Sequence, residues 1–124
     1  MNPVGAPVVP VGFEIVVEWE NARLSDLART RRMLAALCSQ LRELQLSVAP
    51  RAWFLYDPEE IDPVLTREVL AECVDATDGA AFEAILRPAG GLRYYALKNL
   101  GAQLCEQPVV VFLDSDVVPE PGWL

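Results

Sequence analysis

Histidine is absent from this 124-residue sequence, and basic residues are few, with ten lysines and arginines against eighteen aspartates and glutamates. The absence of histidine excludes Ser-His-Asp triads and histidine-based zinc sites within these residues. The formal net charge of −8 argues against nonspecific nucleic-acid binding, for which a basic face is expected. The negative charge fits a binding site that recruits a cation before it can hold a phosphate.

Long apolar runs are missing too, since none approaches the ~20 residues that span a bilayer. Residues 1–12 contain three prolines and lack the basic and continuous apolar regions of a signal peptide. We therefore expect a flexible N-terminal arm over 1–12 and a cytoplasmic chain. The cysteines Cys38, Cys73 and Cys105 are widely spaced in apolar helical patterns, which predicts reduced core thiols.

Strand and helix patterns alternate along the chain from residue 13 onward. Four short runs rich in β-branched and aromatic residues predict strands, at 13–19, 52–56, 82–87 and 109–113. Apolar residues at helical spacing predict three helices, at about 25–46, 63–73 and 93–105. The apolar stripes of the first two helices, which include Leu44 and Leu65, are expected to face the core. The alternation predicts one three-layer α/β/α domain over 13–124 with four mainly parallel strands, and right-handed crossovers allow the strand order 3-2-1-4.

Acidic residues follow three of these predicted strands. Asp114 and Asp116 come directly after the last strand, one residue apart. Because the carboxyl ends of parallel strands meet at one edge of a sheet, Glu18, Glu20 and Asp57 are expected to join them in an acidic cluster. Packing like charges together is unfavourable without a cation, and carboxylate oxygens suit Mg²⁺ or Mn²⁺. The sequence therefore predicts a divalent-cation site at this edge.

Two blocks near the end of the chain resemble a known family. Val109-Val-Val-Phe-Leu-Asp-Ser-Asp-Val-Val-Pro-Glu-Pro-Gly-Trp-Leu124 resembles the DxD signature of family 2 glycosyltransferases, which are inverting enzymes of the GT-A fold. Tyr95-Ala-Leu-Lys-Asn-Leu-Gly-Ala102 looks like the family's Ala-Arg-Asn-x-Gly helix. The resemblance covers roughly residues 13 to 124. It implies a partial, Rossmann-like GT-A fold, a nucleotide-diphosphate sugar (a UDP-sugar first) as partner, and hexosyl transfer as the activity of intact relatives.

The resemblance implies roles for five residues. Asp116 matches the carboxylate that contacts the metal, Mg²⁺ or Mn²⁺, bridging the diphosphate, and Asp114 matches the carboxylate near the ribose. Asp57 matches the carboxylate that hydrogen-bonds the base, and Asn21 matches the asparagine that closes the first-strand motif. Lys98 stands where the family usually has an arginine near the nucleotide.

The first-strand motif and the end of the chain depart from the family. Glu18 and Glu20 replace the usual proline and aromatic residue, which leaves Trp19 as a candidate to stack on the base. In the family, the acceptor site and the catalytic base lie beyond the DxD motif, so no residue here is assigned a catalytic role. We expect a truncated donor-binding half that is inactive alone. Its last strand, 109–113, would form an exposed apolar edge, which predicts self-association.

Two further interpretations stay open. The stretch 111–118 also resembles the first motif of haloacid-dehalogenase-type phosphatases, in which Asp114 would be the nucleophile and Asp116 the acid/base. Alternatively, the chain is a non-enzymatic α/β module that binds a partner through its exposed strand edge. The candidate residues also have structural alternatives, because Asp57 before a proline suits a turn and Lys98 suits a solvated helix surface.

Overall fold

The computed structural model describes residues 12–20, 27–75 and 81–124, and these residues form a four-stranded sheet with helices on both faces. The strands are β1 (Phe13–Glu18), β2 (Arg51–Tyr56), β3 (Glu83–Pro88) and β4 (Val109–Asp114). The helices are α1 (Leu27–Glu43), α2 (Pro63–Asp75) and α3 (Tyr94–Leu104). Nearly all of the predicted arm, and most of the predicted turn after α2, lie outside the described residues.

The sheet is parallel throughout, and its order is β3-β2-β1-β4. This confirms the predicted α/β Rossmann-like arrangement and its strand order. The register places Glu18 of β1 beside Leu55 of β2 on one side and Asp114 of β4 on the other. From β1, the chain adds strands first on one side of the sheet (β2, β3) and then on the other (β4), so the strand order reverses between β1 and β4. In sheets of this type, ligands bind in the crevice at that point.

Successive side chains of the central strands point to opposite faces of the sheet, so the interior is divided into two hydrophobic cores. Ile15 and Val17 of β1 pack with α1 and α2 on one face, whereas Val16 packs with Leu97 of α3 on the other. In the larger core, the ring of Phe54 lies between those of Trp19 (centroids 5.3 Å apart) and Phe82 (5.8 Å). Burial of β1 on both faces is typical of a parallel strand covered by helices.

Gly101 allows α3 to lie close to the sheet. A Cβ atom at this position would collide with Cγ1 of Val16 and would come within 3.0 Å of Leu55. Only glycine therefore permits this approach without a shift of the helix or the strands. The approach matters for the site, because the first turns of α3 carry Tyr94 and Lys98 toward the carboxyl end of β4.

The structure differs from the sequence-based expectation at two helix positions. The first helix ends at Glu43, and Gln45 adopts a positive φ of 51°, so Leu44 leaves the apolar stripe and is exposed. On α2, the buried positions are Thr66, Val69 and Leu70, which leaves Leu65 on the exposed side.

Two further expectations concern the cysteines, predicted to be reduced core thiols, and the lack of a membrane-spanning segment. Cys38 is a buried free thiol, and Cys105 is a half-buried free thiol whose pKa is raised by burial, and by the negative charge of Glu14, to about 11. The side chain of Cys73 lies outside the described part. None of the helices α1 to α3 has the length and apolar character needed to cross a membrane.

Candidate functional site

Three carboxylates meet at the carboxyl ends of β1 and β4. One oxygen each from Glu18, Asp114 and Asp116 lies within 4.8 Å of the others. The pairing of β1 with β4 brings the first two together, and a tight turn closed by the Val117 N–H to the Asp114 carbonyl (3.2 Å) adds the third. We call Glu18, Asp114 and Asp116 the acidic cluster. It brings together the two aspartates that the sequence singled out.

Glu18 is the buried member of the acidic cluster, with 0% of its surface exposed. Its Oε2 accepts a hydrogen bond from the N–H of Glu20 (3.0 Å), and its Oε1 accepts one from the N–H of Ser115 (3.4 Å). A buried carboxylate is unfavourable unless donors compensate it. Here the donors are backbone groups at the ends of β1 and β4, so Glu18 fixes both segments around the cluster.

Asp114 is held by two side chains from α3. The ammonium of Lys98 lies 2.7 Å from Oδ1, and the hydroxyl of Tyr94 donates to Oδ2 at 2.6 Å. Lys98 also donates to the Tyr94 hydroxyl (3.2 Å), and its nitrogen lies 4.4 Å from the centroid of the Tyr94 ring. Because Tyr94 and Lys98 are four residues apart on a helix, they share one face and act on Asp114 together.

This arrangement keeps Asp114 ionised and Lys98 protonated. Burial acts to raise the pKa of Asp114, but the hydrogen bonds from Lys98 and Tyr94 outweigh it and hold the pKa below its ordinary value. Burial acts to lower the pKa of Lys98, but its bonds to Asp114 and Tyr94 raise that pKa above its ordinary value. The pKa of Tyr94 is also raised, chiefly because its proton is donated to Asp114.

Asp116 stands in contrast to Asp114. It is half-buried, and its carboxylate makes no hydrogen bond or ion pair with any residue of the described chain. A carboxylate that no protein donor satisfies is the one most able to accept an incoming cation. Within the acidic cluster, Asp116 therefore offers the free ligand, whereas Asp114 and Glu18 are oriented by the protein.

The other acidic residues at this edge stabilise local structure. Glu20 accepts the N–H of Tyr94 (2.6 Å) at the start of α3 and pairs with Arg93 (3.2 Å). Asp57 accepts the N–H of Glu59 (3.0 Å) and, with its other oxygen, the N–H of Gly91 (3.2 Å). Asp57 thus joins the turn after β2 to the turn after β3, which is the structural alternative that its position before a proline suggested.

Asn21 and Trp19 are the remaining residues of the first-strand motif. Asn21 lies outside the described residues. Trp19 is buried in the larger core, where its indole N–H donates to the hydroxyl of Thr66 at 3.1 Å. Trp19 is therefore not available to stack on a base.

Tyr94 is a site residue that the sequence analysis missed. Its position in the first turn of α3, four residues before Lys98, was a usable signal, because this spacing places the two side chains on one helix face. The signal was weak because neither residue type nor spacing indicates which face of α3 lies toward the strand ends.

A cavity of about 560 Å³ lies at the opposite end of the sheet from the acidic cluster. Glu14, Arg51 and Gln107 are among its lining residues. Both oxygens of Glu14 already accept hydrogen bonds there, so this carboxylate is not free for a ligand. We therefore place the candidate site at the acidic cluster, because its carboxylates can hold a cation, rather than at this cavity.

No protein-family model matches this chain, and no curated protein and no solved structure matches it either. We therefore infer the function of this chain from the geometry of the acidic cluster and from the motifs around it.

Proposed function

We propose that this chain binds a nucleoside-diphosphate sugar through a divalent cation held by the acidic cluster, as the donor-binding part of an inverting glycosyltransferase. One observation carries the proposal: Glu18, Asp114 and Asp116 present oxygens within 4.8 Å of one another. They do so at the point where the strand order reverses, which is where parallel α/β sheets bind their ligands.

The donor set suits Mg²⁺ or Mn²⁺. Both ions prefer oxygen ligands, and Mg²⁺ is commonly held by one or two carboxylates together with substrate phosphates and water. Asp116 supplies the free carboxylate, and Glu18 is held in place by backbone N–H groups. When bound, such an ion acts as a Lewis acid that stabilises the negative charge of the leaving diphosphate.

Lys98 completes the charge balance of the site. When the three carboxylates of the acidic cluster are ionised, the Lys98 ammonium beside Asp114 compensates one charge, and a divalent cation compensates the other two. Lys98 and Tyr94 keep Asp114 oriented while the cation is exchanged. Lysine presents a compact point charge rather than the planar fork of arginine, so it suits a single phosphate or carboxylate oxygen.

We limit the proposal to donor binding, and we assign no catalytic base. The residues beside the cluster bind, orient and neutralise charge, and transfer to an acceptor requires a further group to deprotonate the acceptor hydroxyl.

Calorimetric titration of UDP, with and without Mn²⁺, tests the proposal directly. We expect binding that depends on Mn²⁺ in the wild-type protein and is lost in Asp116→Asn, which removes one charge with little change in shape. Glu68→Gln is the matched control, because it removes one charge from an exposed position on α2 and should bind like the wild type.

Two outcomes would contradict the proposal. One is the absence of binding by wild-type protein that circular dichroism shows to be folded. The other is equal binding by Asp116→Asn and the wild type. Turnover of a phosphate ester that disappears in Asp114→Asn would instead support the phosphatase alternative.

A further inference from the structure

The outer edge of β4 is unpaired in the described chain. β4 forms hydrogen bonds with β1 only, and no other described strand lies beside it. The segment Val109–Leu113 contains no charge and no proline, and Val109 and Phe112 are 42% and 44% exposed. Open N–H and C=O groups along an apolar edge strand are a ready template for pairing with another strand.

The opposite edge of the sheet lacks this property. β3 carries Glu83 and Arg87, and it ends in Pro88, which has no N–H to donate. Charges and proline are the usual protection of edge strands in soluble proteins. The contrast identifies β4 as the edge that is open to pairing.

A groove lies beside the carboxyl-terminal half of β4. It encloses about 460 Å³, and its lining includes the apolar side chains of Phe112, Val117 and Trp123 together with Lys98 and Asp114 of the candidate site. We call this the β4 groove. Its position beside a strand edge and the apolar part of its lining suit an extended segment of chain.

The C-terminal wall of the β4 groove is fixed by α1. The side-chain amide of Gln40 donates to the carbonyls of Pro119 (3.2 Å) and Glu120 (2.6 Å), and its oxygen accepts the N–H of Leu124 (2.9 Å). The segment after the acidic cluster is therefore held on the α1 side, and it forms no backbone hydrogen bond with residues 109–113.

We propose that β4 pairs antiparallel with β4 of a second copy of this chain, across a two-fold axis at Val111. Residues opposite each other in an antiparallel pair point to the same face. Val111 and Leu113 face the α1 core, whereas Val110 faces the α3 core. An odd-numbered residue of one copy can therefore lie opposite only an odd-numbered residue of the other, and an even-numbered one opposite an even-numbered one.

Self-pairing then has one register that is apolar throughout. With Val111 on the axis, Val109 lies opposite Leu113 of the second copy, and Val110 lies opposite Phe112. A register centred on Phe112 would instead place Val110 against Asp114. The first register leaves Asp114 and the acidic cluster outside the five paired positions, so the pairing does not require a bound donor.

Sedimentation velocity between about 10 µM and about 1 mM tests the pairing. We expect the mass to rise with concentration toward that of two chains, and the amide protons of residues 109–113 to gain protection from exchange. Phe112→Lys and Val109→Lys each place a charge in the strand pair twice, once from each copy. Each should raise the dissociation constant by about tenfold or more.

Ala84→Lys is the matched control, because it adds the same charge at an exposed position on the β3 edge and should leave the association unchanged. Thermal unfolding of each variant establishes that it is folded. A wild-type protein that stays monomeric over the whole range overturns the proposal. So does a dimer that both lysine variants on β4 leave intact, or one whose exchange protection appears away from β4.

Discussion

Glu14 and Glu18 lie on the same face of β1, at its two ends, and both are buried, with 1% and 0% of their surfaces exposed. At the amino end, Glu14 accepts hydrogen bonds from the indole of Trp53 (3.0 Å) and from the N–H groups of Glu106 (2.6 Å) and Gln107 (2.8 Å). At the carboxyl end, Glu18 also accepts backbone N–H groups but lies against two aspartates.

The comparison shows that residue type and burial do not decide what a buried carboxylate does. Glu14 is surrounded by donors that satisfy its charge, so it locks the segment before β4 onto β1. Glu18 accepts backbone N–H groups and also lies beside Asp114 and Asp116, so its end of the strand gathers three carboxylates. Carboxylates gathered at strand ends can hold a cation, whereas a single carboxylate enclosed by donors anchors the structure.

Replacing the two glutamates by glutamine should give the largest difference between the two ends. Glu14→Gln places an amide NH₂ among the three donors that the carboxylate satisfied, and we expect it to lower the free energy of unfolding by about 3 kcal/mol. Glu18→Gln also places an NH₂ against a backbone N–H, but it relieves the repulsion with Asp114 and Asp116, so we expect a smaller loss of unfolding free energy, about 1 kcal/mol.

Urea unfolding of both variants and the wild type measures this difference. Equal losses of stability would show that Glu18 is as much a structural anchor as Glu14, and would weaken the case for a cation site at the acidic cluster.

The pH dependence of the free energy of unfolding should also distinguish Glu14 from Glu18. Burial acts to raise the pKa of Glu14, but its hydrogen bonds from Trp53 and from the N–H groups of Gln107 and Glu106 hold the pKa below its ordinary value. The unfolded chain therefore takes up this proton at a higher pH than the folded protein does. The stability from Glu14 is complete above the ordinary carboxyl pKa and is lost as the pH falls through the lower, folded value.

Unfolding free energies measured from about pH 7 to about pH 3 should fall below about pH 5. The fall should be shallower in Glu14→Gln, which has no proton to take up at this position. Asp114, whose pKa is lowered in the same direction, should account for part of the remaining fall. An unchanged acid slope in Glu14→Gln would contradict the assigned role of its hydrogen bonds.

Tyr94→Phe should have the smallest effect, because it removes one hydroxyl and leaves the ion pair between Lys98 and Asp114. We expect a loss of about 1 kcal/mol of stability. We also expect the pKa of Asp114 to rise toward its ordinary value, because the hydrogen bond from Tyr94 helps to lower it.

Carboxyl chemical shifts followed by NMR titration measure that pKa in Tyr94→Phe. Tyr95→Phe is the matched control, because its ring is exposed and its hydroxyl is not bonded to Asp114. A pKa of Asp114 that is the same in both variants would exclude Tyr94 as an orienting residue.

Much of the fold could be predicted because its signals are local. The apolar run that ends at Asp114 and the stripe that includes Leu37 and Leu41 each follow the period of one element. Right-handed connections allowed the strand order that the structure has, but they did not determine it. The sequence predicts that the first helix continues to about residue 46, whereas α1 ends at Glu43. The positive φ of Gln45 ends the helix, and glutamine is not a residue type that predicts this conformation.

The alternation of strands and helices, and the position of Asp114 and Asp116 directly after a strand, can be read from the order of residues. Which acids accept hydrogen bonds from the protein depends on how the elements pack. Glu14 meets Gln107, and Asp114 meets Tyr94 and Lys98, only because β1 pairs with β4 and α3 packs closely over the sheet at Gly101. Hydrogen bonds and charges act over a few ångströms in space, and neighbours in space are set by packing rather than by position along the chain.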